Sequence, residues 1–283
     1  MREKTLPCLG PHGFHRLNYY EWGDPANDRV LICVHGLTRN GRDFDAIGAA
    51  MASGYRVLCP DVVGRGHSGW LTAKEDYGYP VYCSDMAALI ARSGASQVDW
   101  VGTSMGGLIG MLLAAQPDSP IRRLVINDVG PFIPKASLDR LSGYVGKDPR
   151  YDSFEEFEQY IRTVSQPFGP LNDAQWRHLA QTSARQYPDG RWGPGYDPAI
   201  GIAFHNIQAD VVLWPYWDKV RCPTLLLRGR ESDLLLPETA EEMTRRGPRA
   251  RKVEFSGIGH APMLMAQDQI EVVREFLMDA PVR

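Results

Sequence analysis

The chain reads as an α/β protein with a mostly parallel sheet flanked by helices, and three observations predict it. Short apolar runs rich in β-branched residues alternate with longer segments of helical periodicity, the pattern of parallel strands joined by crossover helices. One such run, Gln97 to Gly102, passes through Thr103-Ser104-Met105-Gly106-Gly107 straight into the apolar helix-like segment Leu108 to Ala115. The alternation is interrupted once, from about Pro131 to Trp214, by a stretch with no buried-strand run.

Phe14 to Trp22 reads as an early strand, in an antiparallel edge hairpin. Arg29 to His35 and Tyr55 to Asp61 are the next strands, unbroken and apolar as strands covered on both faces must be. Pro80 to Arg92 is a helix, with Val81, Met86, Leu89 and Ile90 at helical spacing. Ile121 to Asp128, Thr224 to Gly229 and Arg251 to Phe255 are later strands, and a terminal helix runs from about Gln267 to Met278. Within the interruption, helices are expected at Ser137–Val145, Ser153–Ser165 and Asp173–Gln186, the last capped by Asp173. The Pro- and Gly-rich stretch Tyr187 to Pro198 is expected to be loop. The division that follows is a core of residues 1–130 and 215–283, with residues 131–214 inserted as a helical cap.

Composition removes several function classes. At 283 residues the chain can bury one large core, and a net charge of −3 gives no basic footprint for nucleic acid. No apolar run approaches the ~20 residues that span a bilayer, so no membrane partner is expected. The first residues, Met1 to Pro7, carry no apolar signal region. Cys8, Cys33, Cys59, Cys83 and Cys222 are odd in number and lack zinc-type spacing. A cytoplasmic protein that uses no metal and no cofactor is expected, acting on a small molecule; oligomeric state is not readable.

Ser104 lies between Gly102 and Gly106 on a strand-to-helix turn, the pattern that lifts a nucleophilic hydroxyl out of a sheet. A serine hydroxyl needs a base to take its proton. Of seven histidines, His260 is best placed, just past the last strand in Ser256-Gly257-Ile258-Gly259-His260. Groups in open α/β sheets collect at the carboxyl ends of strands. The orienting acid is assigned to Asp233, in the loop after Thr224–Gly229. Glu231 precedes it in that loop and is expected to face solvent. Asp128, after the strand ending at Asn127, is the competing acid. Two backbone N–H groups are needed for a developing oxyanion. Met105, directly after the nucleophile, and Leu37, in the His35-Gly36 turn, are assigned to it. His35 is then structural, and the Asp61 to Gly69 segment, with His67 and Ser68, is a strand-end loop at the pocket wall.

His35-Gly36, Asp61 to Ser68, Gly102 to Gly107, Gly229 to Asp233 and Gly259-His260 together resemble the α/β-hydrolase superfamily. The resemblance covers nearly the whole chain outside the insertion. It implies an eight-stranded, mostly parallel sheet, a helical cap, and the chain order Ser104, Asp233, His260. It also implies a serine esterase, cleaving a carboxylic ester of a small or medium apolar substrate through an acyl-enzyme. Two alternatives use the same residues: a carbon–carbon bond or enol-lactone hydrolase, and a ligand receptor without turnover. Arg39, near the oxyanion turn, and His205, in the insertion, are candidate substrate contacts. The aromatic residues between Phe132 and Trp217 divide between the insertion's own core and the pocket wall.

Overall fold

A computed structural model describes residues 1–204 and 207–279, without the side chain of Phe204. The strands of its main sheet are β1 (Arg2–Gly10), β2 (Gly13–Trp22), β3 (Val30–Val34), β4 (Arg56–Asp61), β5 (Val98–Thr103) and β6 (Ile121–Asn127). Further along come the short strands β7 (Phe132–Ile133), β8 (Ala184–Gln186), β9 (Trp192–Pro194) and β10 (Val211–Val212), then β11 (Thr224–Gly229) and β12 (Arg251–Phe255). The eight-stranded sheet has the order β1-β2-β4-β3-β5-β6-β11-β12. The β1–β2 and β2–β4 pairs are antiparallel and the rest parallel, so the predicted edge hairpin is present and the sheet is mostly parallel.

Helices α1 (Asp45–Met51), α2 (Tyr79–Ser93) and α3 (Met105–Ala114) follow successive strands of the first half, while α7 (Trp214–Trp217), α8 (Pro237–Met243) and α9 (Gln267–Met278) belong to the second. Side chains alternate across a strand. Ile32 and Val34 therefore join a core with Met86 and Leu89 of α2 and Ile109 of α3. Leu31 and Cys33 join the opposite core with Ile47 of α1 and Val273 of α9. Covering both faces is what makes the β3 sequence uniformly apolar.

Residues 131–214 hold α4 (Lys135–Ser142), α5 (Phe154–Val164) and α6 (Asp173–Ser183). The cap of helix α6 lies one residue before the expected one. Asn172 accepts from the Gln175 N–H, and Gln175 bonds back to the Asn172 N–H, so Asn172 and not Asp173 is the cap. The stretch expected to be pure loop contains β9, which pairs with β8 across a Gly190 turn. At the neck of the insertion β7 pairs with β10, Val211 opposite Ile133, which clasps its two ends together. Phe157, Ile161, Trp176 and Leu179 of α5 and α6 pack with Met263 from the loop before α9, so the insertion shares a core with the loops at the sheet's carboxyl edge.

Candidate active site

The turn between β5 and α3 is tight enough to dictate its own sequence. A Cβ on Gly102 would lie 2.2 Å from the Gly106 carbonyl oxygen, and one on Gly106 would lie 2.0 Å from that of Val34. Only glycine fits at either position. Ser104 itself has φ 52°, a left-handed conformation costly for a side chain that carries a Cβ. The surrounding bonds hold it there: its N–H donates to the Asn127 carbonyl at 2.8 Å, and its carbonyl accepts from Gly107 at 2.9 Å.

The loop after β12 delivers His260 to this serine. The Ser104 hydroxyl donates to His260 Nε2 at 2.9 Å, and on the far side of the ring Nδ1 donates to Asp128 Oδ2 at 2.8 Å. Asp128 directly follows β6, has φ 56°, and is fully buried. Its carboxylate also accepts from the Gly229 N–H at 2.9 Å and from the Ser232 hydroxyl at 2.6 Å. A buried charge needs such partners to persist.

The assignment of the acid to Asp233 is therefore corrected. A turn closed by Ser232 N–H on the Gly229 carbonyl, with Ser232 Oγ accepting from Leu234 and Leu235, throws Asp233 outward. Its half-exposed carboxylate meets Arg140 of α4 instead, at 2.6 and 2.9 Å. Glu231 is not idle in solvent either. It accepts from the Gly257 and Ile258 amides at 3.1 and 2.8 Å, anchoring the loop that carries His260, and these bonds hold its carboxyl below the usual range.

Leu37 and Met105 lie where their elements were expected to bring them, in the turn after β3 and at the first position of α3. Neither amide donates a backbone hydrogen bond among the described residues. One side chain ties the two elements together. Arg65, fully buried, donates from Nε to the Leu37 carbonyl at 2.9 Å and lies 3.6 Å from the Met105 sulfur. It also donates to the Val63 carbonyl and the Tyr82 hydroxyl, lies over the Tyr82 ring and near the Tyr77 ring, and pairs with no described carboxylate. His35 is structural, as expected: the Val62 N–H donates to its Nε2 at 2.9 Å and its Nδ1 bonds the Gly36 carbonyl at 2.7 Å.

A family model for the alpha/beta hydrolase fold matches residues 29–266. The chain belongs to the α/β-hydrolase family. It is 45% identical over 284 aligned residues to a 3-hydroxybutyrate-oligomer hydrolase of Cupriavidus necator, covering 97% of each chain. An esterase of Mycobacterium tuberculosis is 27% identical over 90% of this chain and 84% of its own. Among solved structures, an α/β hydrolase from Novosphingobium aromaticivorans superposes with a TM-score of 0.86 at 32% identity, covering 98% of this chain and 97% of that one. The chain is a hydrolase of this family.

For an α/β hydrolase the pocket above the serine decides what is accepted. Ser104 and His260 open into a cavity between the core and the inserted segment. The inserted segment supplies much of its wall, including Leu141, Ile161, Val164 and Phe168, with Leu37 and Phe44 from the core. Arg39 reaches the wall, but Asp43 already engages it at two points, 2.9 and 2.6 Å, in a buried pair. His205 lies outside the described residues.

His67 and Ser68 are absent from this wall: His67 bonds Glu3 at the surface, and Ser68 donates to the Asp61 carbonyl. Away from the cavity, Cys8, His15 and Asp85 bring metal-type donor atoms within 4.8 Å of one another. There His15 Nε2 stands 2.9 Å from both carboxylate oxygens of Asp85, so the two side chains already bond each other. No described helix is long and apolar enough to cross a membrane.

Sequence reasoning ranks Asp128 second to Asp233 and gives Arg65 no role in the site. Asp128 carried a signal, its place immediately after a strand adjacent to that of the serine. Arg65 carried none, because its partners come from three separate segments.

Proposed function

We propose that the chain is a serine ester hydrolase whose substrates are short ester-linked oligomers of a hydroxy acid. The observation that carries the reading is the unbroken chain of hydrogen bonds Ser104–His260–Asp128 at the floor of a largely apolar cavity. With Nδ1–H committed to Asp128, Nε2 presents a lone pair to the serine and takes its proton during attack. The Leu37 and Met105 amides receive the tetrahedral oxyanion. His260 then protonates the leaving alcohol and afterwards activates the water that releases the acyl group. Asp128 fixes the ring's tautomer and offsets the positive charge that forms on it. The inserted segment acts as a cap, excluding water from the bond that breaks. The substrate class is supported by the 45% identity, end to end, with the 3-hydroxybutyrate-oligomer hydrolase.

Turnover of a 3-hydroxybutyrate dimer, followed by release of the monomer, tests the reading together with Ser104→Ala. The wild type should turn over many times. The variant should lose roughly 10⁶-fold in kcat while keeping its circular dichroism spectrum. Activity surviving in Ser104→Ala removes the serine from the mechanism. A single slow turnover in the wild type would instead mark a receptor.

A further inference from the structure

We propose that Arg140, with the hydroxyls of Tyr144, Tyr160 and Tyr196, forms a carboxylate-binding subsite in the cap, selecting esters whose leaving-alcohol portion ends in an acid. It rests on reading the cavity as the substrate site of an ester hydrolase. All four residues line the cavity that holds Ser104 and His260. That wall carries two arginines, and they differ. Arg39 is buried and clamped at two points by Asp43, which also lines the cavity, so that pair presents little net charge. Arg140 lies at the cavity wall with its side chain 42% exposed, and its partner Asp233 is 53% exposed and does not line the cavity. Ion pairs that open to water are weak and exchange readily. The guanidinium can therefore turn its fork from Asp233 to an incoming carboxylate, the geometry it suits best.

The tyrosines supply the rest of the subsite. Burial pushes the Tyr144 phenol up, and the neighbouring Arg140 guanidinium offsets only part of that rise. The Tyr160 and Tyr196 hydroxyls have no hydrogen-bond partner among the described residues, although Tyr196 is only 5% exposed. A hydroxyl of a wall residue with no protein partner is free to donate to a bound ligand. An oligomer of a hydroxy acid has such a ligand at its end: ester-linked along its length, it terminates in one carboxylate. An acid end held at Arg140 with an ester carbonyl at Ser104 fixes which bond is cut, counting from the acid terminus.

The test uses two ligands that differ only in charge, 3-butyryloxybutyrate and its primary amide. Binding is measured calorimetrically in the Ser104→Ala background, so that it is read whether or not the wild type cleaves either. The anion should bind more tightly than the amide. Arg140→Gln should weaken the anion on the order of tenfold and leave the amide within about twofold. Asp233→Asn, by releasing the competing carboxylate, should move the anion the opposite way, to several-fold tighter binding. Equal affinity for the two ligands overturns the proposal. So does a loss in Arg140→Gln shared by acid and amide, or a loss in Asp233→Asn matching that in Arg140→Gln, since both mark a purely structural cap-to-core tie. Failure of the ester-hydrolase reading would show separately, as absence of wild-type turnover on both ligands and on a p-nitrophenyl ester.

Discussion

His35 adjoins the turn that carries Leu37, yet it takes no part in proton transfer near neutrality. Complete burial pushes its pKa down to about 3, and its two nitrogens are already committed to Gly36 and Val62. Its titration is instead a stability term. In the unfolded chain an imidazole protonates near pH 6.5. Above that pH both states are neutral and His35 costs nothing. As the pH falls from about 6.5 toward 3 the unfolded state takes up a proton that the folded state refuses, so stability falls by about 1.4 kcal/mol per pH unit. Urea unfolding at pH 7 and pH 5 should show this slope in the wild type. His35→Gln should be flatter by one proton, and an unchanged slope would show that His35 is protonated inside the fold.

At the scale of elements, the site depends on how strand ends are tied to one another. Arg65, on the loop after β4, bonds the Leu37 carbonyl beyond β3 and touches Met105 at the start of α3. It thereby ties together the two segments whose amides are assigned to the oxyanion, and among the described residues its guanidinium has no carboxylate partner. Arg65→Gln should lower kcat by about ten- to a hundredfold with KM little changed, since the amides act only as charge develops. A rise in KM with kcat intact would place Arg65 in ground-state binding.

The same scale explains what was legible in sequence. Strand β11 and helix α9 have the predicted bounds because a buried apolar run and 3.6-residue periodicity are local signals, while β12, Arg251 to Phe255, alternates charged and apolar residues as an edge strand does. The choice between Asp128 and Asp233 was not local. It turned on the loop after β11, where Ser232 caps a turn and joins Asp128, leaving Asp233 to the surface. The small strands β7 and β10 are two residues each, too short to show a period, and were invisible for that reason.

In the whole molecule the sheet order does the assembling. Strand β6 lies beside β5, and β11 and β12 follow on the same side, so Ser104, Asp128 and His260 project from one edge of one sheet. The inserted segment closes over that edge and reaches the histidine loop directly, the Gly259 N–H donating to the Pro167 carbonyl at 2.7 Å. The glycine-flanked serine and the histidine were readable from spacing alone; the acid and the pocket's polar groups needed the fold. The central claim is that Asp128, at the end of β6, orients His260. It is tested most directly by kcat for p-nitrophenyl butyrate in Asp128→Asn and Asp233→Asn, each checked for a native circular dichroism spectrum. Asp128→Asn is expected to lose roughly 10³- to 10⁴-fold, far more than Asp233→Asn. Near-wild-type turnover in Asp128→Asn, with the large loss falling on Asp233→Asn, would contradict it.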